Sequence, residues 1–185
     1  MIDPIIKGNK VVFGPCRLSY THLFHPYSVD DGVAGKYQTN VLIPKSEKKT
    51  VEALKKAIEI AKGMGVTGKW GGKEPKKLDE PLHDGDDKDD EVYADKYYIN
   101  AKCKTRPGVT DRHHNPITDE EEMYSGVWAY VSVTFFPYDT NGNRGIAAGL
   151  NNVMKFKDDD SLGGRASADA DFAEIKDDDD DDDDL

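Results

Sequence analysis

Residues 127–136 read VWAYVSVTFF, and their alternation restricts the fold more than any other stretch of the chain. Side chains two positions apart share one face of an extended strand. Val127, Ala129, Val131, Val133 and Phe135 therefore form an apolar row, while Trp128, Tyr130, Ser132, Thr134 and Phe136 form an aromatic and polar one. A helix would scatter both rows, so this stretch belongs to a sheet with one face in a core. YYINAKCKTR (97–106) repeats the arrangement, with Tyr97, Ile99, Ala101 and Cys103 on one side and Tyr98, Asn100, Lys102, Lys104 and Arg106 on the other. Pro107-Gly108 ends it.

Further strands are expected at 10–20, 36–43 and 145–156, the last joined to 127–138 by YDTNGNRG, whose Asn141-Gly142 is a hairpin signal. After Pro44, Ser46 or Thr50 can cap a helix through about residue 62, with Val51, Leu54, Ile58 and Ala61 on one face and Gly63 and Gly65 as its stop. From there to residue 91 the composition of Gly, Lys, Pro and Asp predicts a long loop excursion. Five strands and one helix predict a mainly β chain, a small five-stranded antiparallel barrel of the oligonucleotide-binding (OB) type. A β-sandwich carrying one helix is the alternative.

Charge divides the chain in two. Residues 158–185 hold 14 acidic residues against Arg165 and Lys176, which leaves 23 basic and 22 acidic side chains in residues 1–157 of a chain whose net charge is −11. The acidic end closes on Asp177, Asp178, Asp179, Asp180, Asp181, Asp182, Asp183 and Asp184, followed by Leu185. Eight neighbouring carboxylates repel and cannot be buried, so 158–185 is expected to be a disordered acidic C-terminal tail on a domain spanning 1–157. Within that domain, residues 36–77 carry eleven lysines, while 84–91 and 119–122 gather ten acids.

Single-stranded nucleic acid is held by cations that follow its phosphates and by aromatic faces on which bases stack. Tyr98, Lys102, Lys104 and Arg106 from one strand, with Trp128, Tyr130 and Phe136 from another, supply both on the faces that are not core. The alternative is that these rings cover a second core. GMGVTGKW (63–70) has phosphate-loop spacing, but Trp70 stands where a magnesium-holding Ser or Thr is needed, and the stretch follows a helix rather than a strand. Trp70, between Lys69 and Lys73, is a candidate stacking ring or a core plug.

DGDDKDDE (84–91) lacks the spacing of a calcium loop and reads as a solvated turn. His113-His114 lacks a third ligand at useful spacing, and Cys16 and Cys103 match no zinc pattern, so free thiols in a reducing compartment are expected. No catalytic grouping is legible, and no enzyme activity, metal or cofactor is expected. MIDPIIKGNK is no secretory leader, and no run of about 18 apolar residues occurs, so no membrane partner is expected.

LIPKSEKKTVEALKKAIEIAK (42–62), DGDD (84–87), YYINAKCKTRPGV (97–109), YSGVWAYVSVTFFPYDTNGNRGIAAGLNNVMKF (124–156) and SLGGR (161–165), in this order and spacing, resemble the bacteriophage single-stranded DNA-binding proteins with an OB fold, a family long filed as a domain of unknown function. The resemblance covers about residues 10–172. It implies a protein that coats single strands during phage DNA replication, recombination or repair in the host cytoplasm. It also implies that the acidic end regulates binding and recruits replication or recombination proteins, with homo-oligomerisation left open. The rival reading is a DNA mimic or adaptor that engages an enzyme through its acidic segments.

Overall fold

The computed structural model describes residues 1–30, 32–163 and 171–175. The expected acidic tail therefore lies largely outside the described residues, Asp177–Asp184 and Leu185 entirely so. Strands β1 (Ile5–Lys7), β2 (Lys10–Tyr27) and β3 (Lys36–Pro44) precede helix α1 (Lys48–Thr67); β4 (Leu82–Asp84), β5 (Lys96–Cys103), β6 (Gly108–Thr110), β7 (Trp128–Thr140) and β8 (Asn143–Lys157) follow. The five long strands are those expected. The short β1, β4 and β6, which are additions, lack the length to display a period.

β5, β3, β2, β7 and β8 pair in that order, each antiparallel to the next. The ring closes through β8 and β5, where Ala101 meets Ala148 and Lys102 meets Gly149 in parallel. The barrel is thus not wholly antiparallel as expected. Directions cannot alternate all the way round an odd number of strands, so one pair must run parallel. The apolar rows turn inward: Val127, Ala129, Val131, Val133, Phe135, Ile99 and Ala101 are all fully buried. The hairpin between β7 and β8 turns at Asn141 and Gly142, with φ of 52° and 86°, the left-handed pair that a two-residue turn needs.

α1 packs against β7 and β2 and shares one core with the barrel through Val51, Leu54, Ile58 and Ala61. Two expectations about it are corrected. Its N-cap is Glu47, which makes no side-chain capping bond, while Thr50 is a buried residue of the helix itself. The helix also passes through Gly63 and Gly65 to Thr67. Gly65 serves packing: a Cβ there would lie 2.6 Å from Cε3 of Trp70.

The excursion after α1 is anchored rather than loose, which the composition did not predict. Trp70 is 4% exposed and its Nε1 donates to the Tyr138 carbonyl at 3.1 Å. Asp79 exchanges backbone hydrogen bonds with Arg144 and Ile146, and β4 pairs with β5. The acidic turns are structural: Asp84, Asp90 and Asp119 each accept from a backbone N–H two residues on, at the start of a one-turn 3-10 helix. Lys45 bridges Asp84 and Asp86, 2.7 Å from each, and these bonds hold both carboxyls below the usual range.

Candidate nucleic-acid interface

An open groove of about 1260 Å³ crosses the outer face where β5, β8 and β7 meet. β5 gives it Asn100 and Lys102, with Lys104 just beyond the strand; β7 gives Thr134, Phe136 and Tyr138. Lys36 at the start of β3 and Lys69 after α1 complete its cationic side. The floor along β8 includes Ala147 and Gly149. These residues are small, so the rings and ammonium groups stand above the sheet.

Lys45, Lys49, Lys62 and Lys155 each contact a carboxylate. Among the described residues Lys36, Lys69, Lys102 and Lys104 contact none, so their charge is directed to the groove and its solvent. Both acids there are engaged: Asp79 accepts from the Tyr138 hydroxyl at 2.9 Å and Glu80 pairs with Lys62 at 2.7 Å. Burial, and then Asp79, pushes the Tyr138 hydroxyl pKa up, so it stays a donor.

The structure gathers Lys69, Lys102, Lys104 and Phe136 in this groove. It adds Tyr138, whose position continues the β7 alternation past Pro137 and was legible there. Phe136 is 42% exposed. Tyr98 lies two positions beyond Asn100 on the same face of β5, stacked on His83 with centroids 5.0 Å apart. Arg106 lies past the end of β5, which stops at Cys103, and holds its guanidinium 4.9 Å over the Phe24 ring rather than in the groove. Trp70 as a stacking ring is corrected: its indole is a core plug, the other reading its sequence allowed.

Trp128 and Tyr130 occupy the opposite end of β7, about 27 Å and about 20 Å from Phe136 at the usual strand rise. Tyr130 packs edge-on against Phe156 with centroids 5.6 Å apart. Trp128 carries the Lys157 ammonium 5.2 Å over its ring, and its Nε1 donates to Asp159 Oδ2 at 2.7 Å. The expected domain boundary falls at the end of β8, yet residues 158–163 continue along the barrel. Arg17 Nη2 donates to the Asp160 carbonyl at 2.6 Å, Lys155 pairs with Asp158 at 2.8 Å, and the Leu162 N–H donates to the Ser125 carbonyl at 2.8 Å. The Lys155 bond lowers the Asp158 pKa and the Trp128 bond lowers that of Asp159.

Elsewhere, the Cys16 thiol is buried and its pKa pushed up by that burial. Among the described residues no three His, Cys, Asp or Glu side chains are grouped to hold a metal, and no helix is long and apolar enough to cross a membrane.

Residues 9–185 match the family model described as the single-stranded DNA-binding protein of Enterobacter phage Enc34. Protein p50 of Acyrthosiphon pisum secondary endosymbiont phage 1 is 37% identical over 172 residues, spanning 86% of this chain and 91% of that protein. The single-stranded DNA-binding protein of bacteriophage Enc34, solved in complex with ssDNA, superposes with a TM-score of 0.76 at 26% identity, covering 87% of this chain and 94% of that one. The gp2.5 single-stranded DNA-binding protein of bacteriophage T7 shares the fold, with a TM-score of 0.58 at 16% identity over 85% of this chain and 97% of that one.

Proposed function

The chain belongs to the family of the single-stranded DNA-binding protein of Enterobacter phage Enc34, and on that premise we propose that it binds single-stranded DNA, without sequence preference, along the groove between β5 and β7. Lys36, Lys69, Lys102 and Lys104 capture phosphates, and Phe136 and Tyr138 offer ring faces to unpaired bases. The chain then coats strands exposed during phage DNA replication, recombination or repair. Its acidic end, residues 158–185, competes with DNA for the domain of residues 1–157 and, when displaced, recruits replication proteins.

One observation carries this reading: four lysines that make no carboxylate contact among the described residues converge on one groove and flank an exposed ring. A phosphate strand releases condensed cations as it binds, so affinity should fall with salt at a slope near −0.7 per neutralised phosphate. Four contacts give a slope of roughly −3, and Lys102→Ala with Lys104→Ala should reduce it by about 1.4. Fluorescence anisotropy of a labelled oligo-dT titrated at several salt concentrations measures both. A flat salt dependence, or a slope unmoved by the double variant, removes the groove from the reading.

A further inference from the structure

The outer face of β5 runs on from the groove into a second cluster of rings. Lys88, in the turn Gly85–Lys88, holds its ammonium 4.3 Å from the Tyr93 ring centroid, 4.9 Å from that of Tyr98 and 5.3 Å from that of Tyr20. Tyr98 stacks on His83, and His83 also lines the groove. Ring faces therefore connect the groove wall to Lys88.

Two features are not explained by packing. Tyr20 has a backbone φ of +49° and lies at the break in register between Ser19 and His22, yet its side chain is 58% exposed. A bulky residue in the left-handed region is strained, and a bulge re-aims a side chain. Here the strain holds a ring in water. Lys88, for its part, has Asp86, Asp87, Asp89 and Asp90 within two residues but makes no ion pair among the described residues, while Lys45 takes Asp84 and Asp86. An exposed ammonium gains less from ring faces than from a charge-assisted hydrogen bond to a phosphate.

We propose that Tyr20, Tyr98 with His83, and Lys88 form a second nucleotide subsite, in which a base stacks on the exposed rings and the Lys88 ammonium leaves them for the adjacent phosphate. The subsite rests on the groove being the DNA path and extends that path across β5 beyond Lys102. Tyr93, 1% exposed and hydrogen-bonded through its hydroxyl to Asn40 Nδ2 at 2.8 Å, is its fixed floor. Burial, and then the Lys88 charge, lowers the His83 pKa, which favours a neutral stacking face.

The test compares the full chain with Tyr20→Ala and Lys88→Ala on labelled oligo-dT of about 4 and about 16 nucleotides, the bounds of a single OB-fold site. Both variants should match the unaltered chain on the short oligomer and lose roughly tenfold on the long one, with Lys88→Arg restoring much of the loss. Lys102→Ala should weaken binding at both lengths. If the variants hold the long oligomer as tightly as the unaltered chain, the subsite is refuted while the groove stands. Equal losses at both lengths would also refute it, because the residues would then belong to the groove. If the unaltered chain binds neither oligomer, the DNA reading fails and the subsite with it.

Discussion

Trp70 and Phe136 are both candidate stacking rings in sequence, and the structure gives them opposite tasks. Trp70 is 4% exposed, packed on Gly65, and its docking presents Lys69 to the groove. Phe136 is 42% exposed on the groove wall. Trp70→Ala should therefore cost about 3–5 kcal/mol of stability in a denaturant melt. Phe136→Ala should stay within about 1 kcal/mol yet weaken oligo-dT binding by about 1–3 kcal/mol, the worth of one stacked base. A stable Trp70→Ala, or a Phe136→Ala with undiminished binding, would reverse the assignment. The residues around Trp70 carry charge but no periodicity, so its burial, which depends on tertiary docking against α1 and β7, could not be read from them. Phe136 sits in an unbroken alternation, and its outward face could.

Among the elements, β7 and β5 were legible because each is half-buried, so the pleat prints one face in apolar residues and the other in polar ones. β4 was not, since three residues carry no period and their position depends on pairing with β5; 84–91 could be read as a turn, but not its anchoring through Lys45. The segment after β8 was likewise hidden: its aspartates read as plain solvated charge, whereas Asp158 and Asp159 are bonded to Lys155 and Trp128. Both titrate below the ordinary aspartate value when docked. Docking is therefore fully favoured above about pH 4 and is lost as pH falls through the lowered values. Tryptophan emission should shift in that acid range as Trp128 loses its partner, with Trp70 silent in the core. Asp159→Asn should remove the transition at Asp159, and an identical acid shift in that variant would assign the signal to general unfolding.

At the scale of the whole molecule, the charge partition seen in the sequence acquires a geometry. Residues 158–163 fix the departure of the acidic end near Trp128, about 27 Å along β7 from Phe136. The 13 residues from 164 to 176 span at most about 45 Å when extended, so the run Asp177–Asp184 is within reach of the groove lysines of its own chain. A tethered competitor acts at an effective concentration on the order of millimolar. If it holds the groove with a dissociation constant about tenfold below that concentration, it lowers apparent DNA affinity about tenfold. Deleting residues 177–185 changes the net charge from −11 to −3 and should tighten oligo-dT binding by about that factor at low salt. The gain should shrink as salt screens tail and phosphate alike. Duplex DNA depends on the lysines alone, whereas a single strand can keep its ring contact at Phe136 while the run holds them, so the truncated chain should gain more on duplex than on single strands. Equal affinities for both chains at low salt would mean that the run never enters the groove, leaving partner recruitment as its whole role.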